Sequence, residues 1–216
     1  MQPIAIVDYG AGNLRSVQKA FHHLGYSAEI VTDPTALADA PAVVFPGQGT
    51  APQAMRALKA NGMDAAIRAA IEDGTPFFGV CLGLQLLMDW SEEADTECLG
   101  IIPGTVRRFP SVSPIGLKVP QMGWNSVEFH GTHPVFEGVS EASYFYFVHG
   151  YYAAPKDDTG VIGTTDYGVR FASAVARDNI VATQFHPEKS GPTGLRLYDN
   201  FMRYMVGEAR QAAGQP

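Results

Sequence analysis

Cysteine is scarce in this sequence. Cys81 and Cys98 are the only two in a chain of 216 residues, too few for the disulfide framework on which small secreted domains depend. Positive charge is also in short supply: Lys and Arg number 15 against 22 Asp and Glu, a formal net charge of −7. A surface of that sign does not draw phosphate backbones from a distance, which disfavours nucleic acid as a partner. No apolar run is long enough to span a bilayer. The opening MQPIAIVDYG lacks the basic segment and apolar stretch of a secretory signal. No repeat, low-complexity tract or linker breaks the chain. These absences point to a soluble cytoplasmic protein forming one domain over residues 1–216, and a hydrophobic content of 46% supplies its core.

What is present in the first half is an alternation of strand and helix signals. Ile4 to Val7 is a short apolar run that stops at Asp8-Tyr9-Gly10, as a buried parallel strand does. Leu14, Val17, Phe21 and Leu24 then recur at helical spacing, with Gly25 where a cap belongs. Ala28 to Val31 predicts a second strand, and Asp33-Pro34 an N-cap with a first-turn proline. Ala42 to Phe45 predicts a third strand, closed by Pro46-Gly47-Gln48-Gly49. Residues 52–73 read as helix divided at Asn61-Gly62. Pro76 to Val80 predicts a fourth strand and Leu82 to Trp90 a buried, mostly apolar helix. Short connections between such units imply an open, mostly parallel α/β sheet flanked by helices.

Beyond about residue 104 the pattern shortens. Thr105 to Phe109, Ser143 to Val148 and Val169 to Val175 are separated by Gly and Pro clusters and predict antiparallel strands appended to the sheet. Ile180 to Phe185 is again β-like and ends at His186-Pro187-Glu188. A last helix is expected over about Leu195 to Arg210, with Leu197, Phe201, Met205 and Val206 on one side.

The most informative stretch is Phe78-Gly79-Val80-Cys81-Leu82-Gly83-Leu84-Gln85. Glycines two residues to either side of Cys81, between a strand and a helix, reproduce the G-x-nucleophile-x-G turn with Cys in the place of Ser. A sharp strand-to-helix turn strains the middle residue, and side chains at the flanking positions would strike the neighbouring strand and helix. The turn places the sulfur at a helix N-terminus and aims the Leu82 N–H at a developing oxyanion. The plainer alternative is a small buried hydrophobe, a description that suits Cys98.

Six histidines could serve as base. His22 and His23 belong to the first helix, His130 and His133 to a polar loop facing water, and His149 follows an aromatic strand as core or site lining. His186 ends a β-like run, where the carboxyl ends of parallel strands gather. Glu188, two residues on, faces the same side in extended backbone and could fix the imidazole tautomer. The same spacing also fits a surface ion pair of Glu188 with Lys189. A metal site has no further ligand at convincing spacing. Gly10-Ala11-Gly12 hints at a dinucleotide fingerprint, but Arg15 stands where its third glycine belongs.

Taken together, Gly79 to Gln85 and His186-Pro187-Glu188 resemble the signature of the class I glutamine amidotransferases. The blocks Asp8 to Leu14, Pro46 to Gly49, Gln121 to Asn125, Tyr146 to Tyr152 and Gln184 to Ser190 extend the resemblance in order over nearly the whole chain. It implies a flavodoxin-like fold and hydrolysis of L-glutamine to glutamate and ammonia, with Cys81 as nucleophile, His186 as base and Glu188 as its orienter. It further implies an oxyanion hole from the backbone of Leu82, Gln48 and Gly49, and a glutamine pocket including Gly47, Gln85 and Glu93. The finer blocks imply a heterodimer with a barrel-type cyclase subunit of histidine biosynthesis, which receives the ammonia through a channel. Asn13, Met122, Trp124, Asn125 and Lys189 would lie near that interface, although Trp124 would equally suit a core. No cofactor or metal is expected. Two positions depart from the family pattern: Gln48, where valine is commoner, and Gln121, where histidine is frequent.

Overall fold

In the computed structural model, residues 2–10, 12–110, 118–141 and 143–207 are described. Ala11 of the first block and Glu208 to Arg210 of the expected last helix lie outside them. Four apolar runs form strands whose residues are buried throughout: β1 (Ile4–Val7), β3 (Val43–Gly47), β4 (Phe77–Cys81) and, late in the chain, β14 (Ile180–Thr183). Burial on both faces is what a parallel sheet covered by helices demands of its strands. β2 (Ala28–Val31) completes the parallel part, in the order β2-β1-β3-β4-β14.

The period of two along each strand divides the core into two layers. Ile4, Ile6, Val44, Phe78 and Val80 share one layer with α1 (Leu14–His23) and with Leu197 and Tyr198 of α5 (Gly191–Asn200). Ala5, Val7, Val43, Phe45 and Phe77 face the other, packed on α2 (Ala51–Asn61) and α3 (Met63–Glu72). A large apolar side chain removed from water contributes about 1.5–3 kcal/mol, so the two layers hold the sheet from both sides.

Several expectations are revised. The helix after Cys81 is a single turn, α4 (Leu82–Gln85), rather than a run to Trp90. The Leu86, Leu87 and Met88 carbonyls accept N–H groups from Leu99 to Ile102, so a returning loop takes the bonds that a longer helix would have used. Trp90 instead opens β5 (Trp90–Ser91), which pairs with β6 (Thr96–Glu97) and β7 (Gly104–Arg108); β11 (Tyr151–Pro155) completes this separate small sheet. The strand predicted over Thr105 to Phe109 is therefore not appended to the main sheet. Nor is the one over Ser143 to Val148: among the described residues, β10 (Tyr144–His149) pairs only with β8 (Gln121–Ser126). The antiparallel extension is made by β13 (Arg170–Arg177), β12 (Val161–Asp166) and β9 (Glu128–Phe129). The last helix starts at Gly191, earlier than expected, and continues as a wider π turn over Phe201–Val206. That winding turns Met202 inward and leaves Met205 half-buried. Among the described residues, no helix is long and apolar enough to cross a membrane.

Candidate active site

The carboxyl ends of β1, β3, β4 and β14 open on one edge of the sheet, where α/β folds place ligands. Cys81 closes β4 with φ 57° and ψ −108°, a conformation that costs a non-glycine residue about 1–3 kcal/mol. Its flanking glycines allow the neighbours to close around it. A Cβ on Gly79 would lie 2.9 Å from the Ala182 Cβ of β14, and one on Gly83 would overlap the Phe45 carbonyl oxygen of β3. Because α4 is one turn long, the aligned-dipole argument for the sulfur is weaker than the sequence suggests; side chains dominate its surroundings.

β14 carries the chain past Cys81 to His186, whose backbone N–H donates to the Tyr146 carbonyl at 2.9 Å. Ser190 Oγ donates to the His186 carbonyl at 2.6 Å and accepts the Tyr146 N–H at 3.0 Å, stitching this turn to β10. His186 Nδ1 lies 2.8 Å from Glu188 Oε1, with both side chains sealed from solvent. A carboxylate accepts, so Nδ1 carries a hydrogen, and Nε2 is the nitrogen that takes up or gives away the second proton. Nε2 is buried without a hydrogen-bond partner, and its ring lines the same cleft as the Cys81 sulfur. Burial opposes the charged imidazolium, but the Cys81 sulfur and then Glu188 outweigh it, and His186 is raised to about 10. Lys189 does not compete for Glu188; its ammonium lies over the Tyr146 ring, 5.8 Å from the centroid.

Two further groups hold the carboxylate. Asn13 Nδ2 donates to Glu188 Oε1 at 2.6 Å, and Tyr198 Oη donates to Oε2 at 3.3 Å. The sequence places Asn13 at a partner interface and assigns Tyr198 no role. A tyrosine among the apolar positions of a buried helix was the available signal, since a buried phenol needs a partner.

The cleft has a volume of about 520 Å³ and is lined by Gly47, Gln48, Gly49, Cys81, Leu82, Gln85, Glu93, His186 and Lys189, with residues of β10 and β11. A slightly larger cavity of about 590 Å³, lined by Arg107, His130, Tyr152 and Arg170 among others, has neither cysteine nor serine in its lining. Gly47 pairs in register with Cys81, which sets the loop after β3 beside the sulfur. A Cβ on Gly47 would strike the Leu82 Cβ and the Tyr9 hydroxyl, each at 2.6 Å. The Tyr9 hydroxyl thus lies against Gly47, in the loop expected to supply an oxyanion donor, and is buried without a partner. Burial, then the nearby Cys81 sulfur, hold this phenol well above its ordinary titration range. Gln48 extends its side chain over Gly12. Glu93 reaches across from the segment after β5 to accept the Ala51 N–H at 2.7 Å, capping α2 where Thr50 makes no side-chain cap. Gln85 Nε2 donates to the Tyr151 carbonyl at 2.8 Å and to Gln184 Oε1 at 3.0 Å. Its donors are spent within the protein, so its carbonyl oxygen is the end it can offer a ligand.

Outside the cleft, Met122 and Trp124 are 66% and 57% exposed on one face of the β8–β10 ribbon. Trp124 meets Tyr146 edge to face with centroids 6.0 Å apart, so the patch adjoins the cleft wall through Tyr146. Asn125 points the other way and donates to the Asp166 carbonyl at 2.9 Å. Gln121 is buried with its Oε1 unpaired. His149 is buried among Phe109, Phe147 and Phe171, bonded through Nδ1 to the Tyr151 carbonyl at 2.7 Å; burial pushes it down to about 4. His130 and His133 do not simply face water. The first bonds Thr164 Oγ1 at 2.8 Å, and the second accepts the Val135 N–H at 3.2 Å. Cys98 is buried and its thiol is pushed up to about 12 by that burial.

The chain matches the model of a family described as Glutamine amidotransferase class-I over residues 5–205. It is 48% identical over 209 residues to the imidazole glycerol phosphate synthase subunit HisH of Dehalococcoides mccartyi, covering 96% of this chain and all of that one. It is 50% identical over 200 residues to the protein of the same name from Herpetosiphon aurantiacus, covering 92% and 93%. A crystal structure of a glutamine amidotransferase superposes with a TM-score of 0.73 at 21% identity over 94% of this chain and 99% of that one. The structure of PurLQS from Thermotoga maritima gives 0.72 at 18% over 95% and 100%. At those identities the structural likeness establishes the fold.

Proposed function

The chain belongs to the class I glutamine amidotransferase family, and from that premise we propose that Cys81, His186 and Glu188 are the catalytic triad of its glutaminase reaction. It is the glutaminase subunit of an imidazole glycerol phosphate synthase, working on glutamine beside a cyclase subunit. The observation that carries the triad is the 2.8 Å bond from His186 Nδ1 to Glu188 behind an unpartnered Nε2 that shares a cleft with the Cys81 sulfur.

In this reading Cys81 gives its proton to His186 Nε2 and the sulfur attacks the side-chain amide carbon of glutamine. Collapse of the tetrahedral intermediate breaks the C–N bond as His186 returns the proton to nitrogen, and ammonia departs from a thioester. Water, deprotonated by His186, then breaks the C–S bond and releases glutamate. The oxyanion sits on the backbone N–H of Leu82, one of the first-turn groups without an intrahelical acceptor, and on an N–H of Gln48 or Gly49. Gly47, Gln85 and Glu93 shape the glutamine pocket. Ammonia released into bulk water would be protonated, so it passes by a channel to the partner, which we take to be a (β/α)₈-barrel cyclase. The pair then converts a phosphoribulosyl-formimino carboxamide nucleotide into imidazole glycerol phosphate and an aminoimidazole carboxamide ribotide. Met122, Trp124 and Lys189 front the interface, and one domain spans 1–216 in the cytoplasm.

The test is co-purification with a barrel cyclase followed by an assay of glutamate release. Little turnover by the isolated chain and a large rise with the cyclase and its nucleotide are expected. Cys81→Ser should abolish glutamine-dependent synthesis yet spare synthesis from added ammonium. Loss of both would mean that Cys81 supports the structure instead.

A further inference from the structure

Gln184 is fully buried in the last apolar run of the sheet and plays no part in the triad. Its location follows from strand register: Thr183 pairs with Val80 in the parallel β14–β4 ladder, so the next step brings Gln184 level with Cys81, about 4.8 Å away across the ladder. Its Nε2 lies 3.6 Å from the Cys81 sulfur.

A fixed donor decides which end of this amide faces the sulfur. The Tyr151 carbonyl can only accept, so the end of Gln85 that meets it at 2.8 Å is the NH₂ group. The same NH₂ reaches Gln184 at 3.0 Å, so that end of Gln184 must be its oxygen. The opposite end, facing Cys81, is then NH₂. The chain Tyr151 carbonyl, Gln85, Gln184, sulfur runs in one direction, and its orientation is set by main chain. The sulfur also has the Val148 carbonyl at 3.9 Å, an acceptor for the thiol hydrogen and of no use to a thiolate.

We propose that Gln184 is a further catalytic residue, donating an N–H to the Cys81 sulfur and stabilising the charge it carries once its proton has gone to His186. Gln85 is the positioning residue that aims it. A buried hydrogen bond to a charged atom is worth much more than one to a neutral group, because no water competes for it. The donor therefore acts when the thiolate forms, and again when the thioester breaks and the sulfur leaves. This inference rests on Cys81 being the nucleophile.

The experiment measures Cys81 alkylation by iodoacetamide against pH in the full chain, with Cys81→Ser as the background for Cys98, alongside steady-state glutamate release in the complex. Gln184→Met removes the donor without adding charge. Its alkylation midpoint should move up by about one pH unit, with alkylation at pH 7 about tenfold slower. Its kcat should fall about tenfold or more while KM stays within about twofold. Gln184→Glu, which sets a carboxylate beside the sulfur, should shift further in the same direction. Gln85→Met should shift the same way by less. An unmoved midpoint in Gln184→Met, even with reduced turnover, overturns the inference and leaves packing as the residue's role. If that variant does not fold, an unmoved midpoint in Gln85→Met overturns it instead. Failure of the underlying reading is separately visible: a glutamine chloroketone would then leave Cys81 of the unmodified chain unlabelled.

Discussion

Asn13 and Glu188, separated by most of the chain, meet through a 2.6 Å hydrogen bond from the asparagine amide to the carboxylate oxygen that also receives His186 Nδ1. The loop after β1 thereby fixes the orienter of the proposed base. Asn13→Ala should lower kcat for glutamine about tenfold with little change in KM, since a bond to a charged group is worth about 1.5–3 kcal/mol. Asn13→Asp should cost more, because it sets a second carboxylate against the first. Steady-state glutamate release in the complex checks both; two variants at wild-type kcat would detach Asn13 from the relay.

His186 is raised to about 10, burial being outweighed by the Cys81 sulfur and Glu188. The folded value lies above the ordinary 6.5, so the protonated ring contributes stability below about pH 6.5, and that contribution fades as pH climbs through about 10. The imidazolium that hands a proton to departing ammonia should therefore persist through neutral pH, with kcat falling on an alkaline limb near 10. Glu188→Gln removes part of the support and should bring that limb to lower pH. A limb unmoved by the substitution would argue that the carboxylate does not act on the ring.

His149 has the opposite sign. Burial holds it down to about 4, so the unfolded chain takes up its proton first, and acidification from about pH 6.5 to 4 favours unfolding. The loss amounts to about 3 kcal/mol over that range. His149→Phe suits the surrounding aromatic nest and should flatten this part of the stability curve, read by urea unfolding at several pH values. An equally steep acid decline in the variant would assign the effect to other groups.

The elbow glycines separate by what their side chains would meet. Gly83→Ala overlaps the Phe45 carbonyl, which is backbone of a central strand and has nowhere to go. Gly79→Ala meets the Ala182 methyl at 2.9 Å and the Gly83 backbone at 3.3 Å, close contacts without overlap. The first should prevent folding or lower the melting temperature severely, the second cost about 1–3 kcal/mol. Thermal unfolding is sufficient to rank them, and a Gly83→Ala chain of ordinary stability would show that the close approach is not needed.

Trp124 is 57% exposed, so Trp124→Ala should leave thermal stability unchanged. As an interface anchor it should weaken partner binding by about 2 kcal/mol, roughly thirtyfold in Kd. Titration calorimetry with the cyclase decides it, and an unaltered Kd would place the contact elsewhere.

Local pattern was enough for the parts of this protein in which neighbours in sequence are neighbours in space. The four buried β runs, the division of the long helical stretch at Gly62 and the glycine-flanked turn at Cys81 were readable because periodicity and turn chemistry act over a few residues. The pairing of His186 with Glu188 was readable for the same reason. Tertiary structure alone decided the rest. α4 stops after one turn because distant N–H groups claim the carbonyls beyond it. β7 and β10 leave the main sheet because their partners lie elsewhere in the chain. Asn13 and Tyr198 reach Glu188, Tyr9 reaches Gly47, and Gln184 reaches the sulfur, only once parallel strands have been set in register. A polar residue inside an apolar run announces that it needs a partner; which partner it finds depends on chain segments that local pattern does not connect.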